Sequence, residues 1–97
     1  MVSCSSTGQY GNSGCDGGLA ELAFLYTDSQ PLMSSESYPY VDGITGITTT
    51  QCNYDASQGL VSANGFSYVP FNHPKQLQAA VNLGPVVAAI DGGSLLF

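Results

Sequence analysis

Gly11-Asn12-Ser13-Gly14-Cys15-Asp16-Gly17-Gly18 stands directly before the helical pattern Leu19 to Asp28, and its reading decides how the rest of the chain is understood. Four glycines and a cysteine strip side chains away where backbone amides point outward, so another chain or a ligand can lie against exposed peptide groups. Three uses compete for such a stretch: a phosphate loop, half of a zinc knuckle, or a disulfide-pinned ledge for an extended peptide.

Charge weakens the first. The chain has 97 residues and a net charge of -6, with Lys75 as its single cation. It therefore has almost nothing with which to displace counterions from a phosphate backbone, and nucleic acid is not an expected partner. Anionic membranes are disfavoured for the same reason. No apolar run approaches the roughly 20 residues of a membrane span. Zinc is weakened by spacing, because Cys4, Cys15 and Cys52 form no Cys-x-x-Cys pair and only His73 could complete a ligand set. An odd cysteine count instead leaves one thiol free or paired outside the chain.

The chain is short enough to be one small domain or a piece of a larger one. Its N-terminus, Met1-Val2-Ser3-Cys4, has neither the basic region nor the apolar stretch of a secretory signal. Its C-terminus, Leu95-Leu96-Phe97, is apolar where domain boundaries are usually polar. Both ends lead us to expect a fragment.

Outward from the glycine stretch, residues 1–18 lack any period and read as an irregular, pinned segment. Leu19, Leu22, Ala23 and Tyr26 then recur at helical spacing, with Asp16 placed to cap or flank the N-terminus, Glu21 in the first turn and Pro31 as the stop. Tyr38-Pro39-Tyr40 reads as a turn packed by aromatic rings, and residues 43–51 as a surface loop or weak hairpin. Residues 60–69 have strand composition broken by Asn64-Gly65. Asn72 or His73 can cap a helix that starts near Pro74 and buries Leu77, Ala80 and Val81. Val86 to Ile90 reads as a strand buried on both faces. The order of elements predicts an α+β protein.

Cys4-Ser5, the glycine stretch, Glu36-Ser37-Tyr38-Pro39-Tyr40, Cys52-Asn53-Tyr54 and Gly84-Pro85-Val86 running to Ala89-Ile90-Asp91 occur in this order along the whole chain. The combination resembles the papain-like cysteine proteases, most closely their cathepsin L-like branch. The resemblance implies the central portion of that α+β fold: residues 1–68 in the helical half, and residues 69–97 at the start of the sheet half. It also implies that the nucleophilic Cys with its oxyanion Gln precedes Cys4, and that the general-base His and its Asn follow Phe97. By that resemblance the chain contains no catalytic residue and is expected to be inactive alone, although the parent would be a cysteine endopeptidase. Its flanking segments are then missing partners.

The same resemblance pairs Cys4 with Cys52, a bond that would stabilise by about 2–4 kcal/mol. It leaves Cys15 as a half-cystine whose partner lies outside the chain. It makes Gly17 and Gly18 the backbone ledge that bonds an extended peptide or protein substrate, a form of strand augmentation that requires bare backbone. Leu19 and Ala20 would line one wall of the adjoining pocket, Ala89 its floor, and Ser13 its outer rim. No cofactor or metal is implied, and the family's compartment would be lysosomal or extracellular. A side chain at Gly18 is expected to occupy the space of the substrate main chain. Cys15 precedes a helix whose dipole could activate a thiol, but no base stands near it in sequence, so a structural role is expected. His73 reads as an exposed cap at a helix start, and a serine triad lacks its Gly-x-Ser-x-Gly elbow. Two other readings remain: a non-catalytic peptide-binding or decoy module, and a disulfide-stabilised structural domain. Thiol titration of the denatured, non-reduced chain should find one free thiol, and peptide mapping should join Cys4 to Cys52. A Cys4–Cys15 link would contradict the assignment.

Overall fold

The computed structural model describes residues 1–93, so the apolar Leu95-Leu96-Phe97 end lies outside the described residues. Two compact units divide the chain, Met1–Phe66 and Ser67–Phe97.

The first unit begins with a single helical turn, α1 (Val2–Ser5), where the sequence suggested irregular chain. The turn closes because Ser5 N–H bonds Met1 C=O at 2.9 Å, while the Ser6 and Thr7 hydroxyls bond the Ser3 and Cys4 carbonyls at 2.9 and 3.0 Å. Those side chains satisfy carbonyls that a short helix leaves unpaired. The glycine stretch follows and contains a 3-10 turn, Gly14–Asp16. Then comes α2 (Ala20–Ser29). Its end is fixed by Gln30 N–H on Tyr26 C=O at 2.8 Å, just before Pro31.

Of the two places expected for Asp16 the structure has the flanking one: it sits in the 3-10 turn before α2, and Leu19 is the N-cap without a capping side chain of its own. The buried stripe of α2 is also narrower than its periodicity suggested. Tyr26 and Thr27 are buried and Leu22, Ala23 and Phe24 half-buried, whereas Leu19 and Leu25 are exposed. The reason lies in what α2 packs against, which is a cluster of aromatic rings centred on Tyr26.

Cys4, Tyr10 and Tyr26 form the buried core of this unit, with Tyr38 and Tyr54 packed against it. Tyr26 meets Tyr10 edge-on at 5.1 Å between ring centroids and Tyr54 edge-on at 6.5 Å. Phe24 stacks on Phe66 at 6.0 Å. Edge-to-face pairs place positive ring edges on negative faces and add about 0.5–1.5 kcal/mol each to the burial of apolar area. Burial, followed by the fields of Tyr54, Tyr38 and Tyr10, pushes the Tyr26 phenol up to about 12.

A disulfide joins Cys4 to Cys52 across 48 residues and anchors this cluster. A disulfide sulfur carries no proton, so Tyr38 Oη donates to Cys4 Sγ at 3.6 Å and accepts from Asn53 N–H at 3.1 Å. One phenol thus holds both sides of the crosslink. Tyr10 Oη and Ser29 Oγ lie 2.5 Å apart, tying the core to the end of α2.

Asp42 is the buried acid of the unit, 3% exposed. Thr49 Oγ1 and Ser3 Oγ both donate to its carboxylate, and Gly46 N–H bonds its carbonyl at 2.8 Å. This arrangement closes the loop that follows, leaving Ile44 and Ile47 on the surface. Downstream, Asp55 accepts from Ser57 N–H at 2.9 Å and so opens a second 3-10 turn, Ala56–Gln58.

The sheet expected of an α+β fold has no counterpart among the described residues. Residues 60–69 contribute a single isolated antiparallel bridge, Leu32 with Val61, where Leu32 N–H bonds Val61 C=O at 2.6 Å. Gly65 bends the chain soon after, at φ 84°.

In the second unit, α3 (Pro74–Leu83) opens with Pro74 in its first turn and ends at Gly84. His73 is the N-cap, and its carbonyl accepts from Gln76 and Leu77, both at 3.0 Å. Its side chain makes no capping bond, and neither does that of Asn72, whose φ is 59°. Leu77 and Val81 are 45% and 56% exposed and Ala80 is half-buried, so the stripe expected to be buried is largely open. Val86 to Ile90 forms no strand, with Val87 and Ile90 at 63% and 70% exposure. The physical reason is common to both segments: β composition requires a continuous paired neighbour to satisfy backbone groups, and among the described residues the pairing goes no further than the Leu32–Val61 bridge.

Asp42 carries a testable pH dependence. The Thr49 hydroxyl bond, ahead of the opposing cost of burial, holds its carboxyl below the ordinary value of 3.8. Asp55 is lowered likewise, chiefly by the Gln58 and Ser57 side chains. A depressed folded-state value means stability that is complete above the unfolded value and lost as pH falls through the folded one. Urea midpoints should therefore drop as pH falls below 3.8, and Asp42→Asn should flatten that acid limb while lowering the plateau above it.

Candidate functional site

The glycine stretch is built from two nested closures. The inner one is Ser13 N–H on Gly17 C=O at 2.9 Å, enclosing the 3-10 turn. The outer one is Leu19 N–H on Asn12 Oδ1 at 2.9 Å. Asn12 is in turn fixed to α1, its N–H on Ser5 C=O and its Nδ2 on Ser5 Oγ, both at 3.2 Å. Ser5 is 2% exposed, so the loop hangs from a buried point.

Thr48 fixes the far side. Its Oγ1 accepts Cys15 N–H at 2.8 Å, and a Cβ on Gly14 would overlap it. Gly14 is also at φ 61°, where a side chain is disfavoured. The loop after Asp42 therefore buttresses the glycine stretch through one threonine.

Ser13, Gly17, Gly18, Leu19 and Ala20 are brought together on one exposed surface segment. Gly17 adopts φ 110°, ψ -163°, a region open essentially to glycine alone, and a Cβ there would meet open space. Gly18 differs. A Cβ there would collide with the side chain of Asn12, so its bareness has a cause inside the chain. Among the described residues, neither Gly18 N–H nor Gly18 C=O has a hydrogen-bond partner. Ala89 belongs to the second unit and is exposed.

Cys15 is free and half-buried. It lies inside a three-residue 3-10 turn rather than at the head of α2, so the helix-dipole setting that its sequence position suggested is absent. Among the described residues no group of three or more His, Cys, Asp or Glu is placed to hold a metal ion. No helix there is long and apolar enough to cross a membrane. A separate groove of about 590 Å3, bordered by Met33, Tyr38, Tyr40, Asp42 and Thr49, includes none of the glycine-stretch residues.

A profile described as papain family cysteine protease matches residues 1–97, the full chain. The chain belongs to the papain family. It is 36% identical over 98 residues to cathepsin 7 of Mus musculus and 37% identical over 101 residues to cathepsin S of Bos taurus. Each alignment covers 100% of this chain and 28% of the relative. Cysteine protease 1 of Oryza sativa subsp. japonica is 40% identical over 101 residues, again across 100% of this chain but 19% of the rice protein. The chain thus spans less than a third of these relatives.

Asn12 and Thr48 are the two working residues that sequence reasoning missed. Thr48 sits in a run of threonines with nothing to single it out. Asn12 could have been noticed, since an Asn just before a glycine turn readily bonds nearby backbone amides. Gly17→Ala and Gly18→Ala should separate the two glycines. Gly17→Ala should cost about 1–3 kcal/mol through backbone strain and leave the Leu19 amide protected from hydrogen exchange. Gly18→Ala should expel the Asn12 side chain, cost about 1–3 kcal/mol, and expose that amide.

Proposed function

We propose that residues 1–97 are the substrate-ledge portion of a papain-family cysteine endopeptidase, with Gly17 and Gly18 as the backbone strip that receives an extended peptide. The observation that carries this reading is Gly18: exposed, flanked by Gly17 and Leu19 that are each held by a hydrogen bond, and with neither of its own backbone groups bonded among the described residues. An extended peptide laid beside it can pair its own N–H and C=O with those groups, as an added strand does at a sheet edge.

Leu19, 56% exposed next to the strip, offers apolar area to the substrate side chain, and Ala20 leaves room beside it. By family resemblance alone, Ala89 would be the floor and Ser13 the rim of that pocket in the complete enzyme. None of these four residues carries charge, so a bulky aliphatic or aromatic substrate residue is preferred and a buried charge is left unpaired.

The chemistry belongs to segments beyond this one. In the complete protease a Cys thiolate attacks the scissile carbonyl, assisted by a His base and its Asn. Cys15 pairs there with a cysteine outside residues 1–97, and His73 remains a helix cap. The isolated chain is inactive. The Cys4–Cys52 disulfide supports an oxidising compartment, lysosomal or extracellular.

Kinetics on the full-length protease test this. Substrates with Leu or Phe at the residue two before the scissile bond should exceed those with Glu or Arg there by about tenfold or more in kcat/KM. Residues 1–97 alone should release no product from any of them. Cleavage by the isolated chain, or equal turnover of the charged and apolar substrates, would refute the assignment.

A further inference from the structure

We propose that Asn12 is the positioning residue of the ledge: by holding Leu19 N–H, it aims the Gly18 carbonyl at the incoming peptide. The inference rests on the ledge reading above and adds to it the side chain that sets the ledge's direction.

The argument is geometric. A trans peptide unit is planar, and its C=O and N–H point in opposite directions. Gly18 C=O and Leu19 N–H belong to one such unit. Asn12 Oδ1 accepts the Leu19 N–H at 2.9 Å, so the Gly18 carbonyl must point away from Asn12. The preceding unit obeys the same rule. Gly17 C=O is held by Ser13 N–H at 2.9 Å, so Gly18 N–H points away from Ser13. Both groups that a peptide would use are thus aimed by the bonds of their peptide-mates. In one case the anchor is backbone; in the other it is a replaceable side chain.

Asn12 suits this task because it is itself immobilised. Two further bonds, both at 3.2 Å, attach it to Ser5, which is buried beside the disulfide-bonded Cys4. The absence of a Cβ at Gly18 leaves the space in which the Asn12 amide lies. Without the amide, glycine's freedom would allow the Gly18–Leu19 unit to rotate and the carbonyl to lose its aim. Asn12 touches no substrate atom; it acts through Leu19 and Gly18.

Two substrates differing in one atom read this out on the full-length protease. One is an all-amide peptide. The other carries an ester at the residue two before the scissile bond, which removes the N–H that the Gly18 carbonyl accepts. Wild type should prefer the amide by about tenfold in kcat/KM, carried mostly by KM. Asn12→Ala should lose about tenfold on the amide and almost nothing on the ester, collapsing the preference. Asn12→Asp keeps the acceptor for Leu19 N–H and should keep the preference. Equal losses on both substrates in Asn12→Ala, or an intact preference, would overturn the role of Asn12 while leaving the ledge standing. A wild type indifferent to the ester would instead overturn the ledge reading and this inference together. Should Asn12→Ala not fold, wild-type hydrogen exchange decides: the Leu19 amide should be protected, and fast exchange there would sink the proposal.

Discussion

The Cys4–Cys52 disulfide is the constraint on which the first unit depends. It joins the initial helical turn to a segment 48 residues later, and it places Cys4 beside the tyrosines that form the core. A core of so few buried side chains contributes little by area alone. The crosslink removes conformations from the unfolded chain, and Tyr38 extends its effect by bonding a sulfur on one side and Asn53 N–H on the other. Ser5, next to the crosslinked Cys4, in turn holds Asn12. A covalent bond, a buried serine and an amide thus lead from the core to the exposed Gly18.

Much of this was legible in the sequence, and the parts that were not share a cause. The helix α2 begins within a residue of its expected start and stops before Pro31, because periodicity and a proline are local signals. The glycine stretch was legible as a surface with bare backbone. Its anchoring was not, since a bond from Asn12 to Leu19 depends on the intervening residues returning on themselves. The burial of Asp42 was equally hidden. A lone Asp before Gly43 reads as a turn residue, and only folding brings Ser3 and Thr49 onto its carboxylate.

Strand composition misled where pairing was required. Val61, Phe66 and Tyr68, like Val86 to Ile90, have the branched and aromatic side chains that favour pleated surfaces. That preference is largely one for neighbours on a sheet rather than for the backbone itself. Among the described residues the pairing of these segments comes to one isolated bridge, Leu32 with Val61. Likewise the periodic stripe of α3 is largely exposed, since periodicity specifies which face is apolar and not what covers it.

The tyrosine cluster also gives the protein an optical character. The chain has no tryptophan and six tyrosines, so its near-ultraviolet absorption and emission come chiefly from phenols. Three of those rings interlock around Tyr26, and a fourth donates its hydroxyl to the disulfide. Rings fixed in an asymmetric array acquire rotational strength, and a disulfide in contact with a phenol drains its excited state. Circular dichroism in the aromatic band therefore reports the assembled core, and tyrosine emission brightens when the crosslink is reduced. The feature that stabilises the fold is also its built-in chromophore.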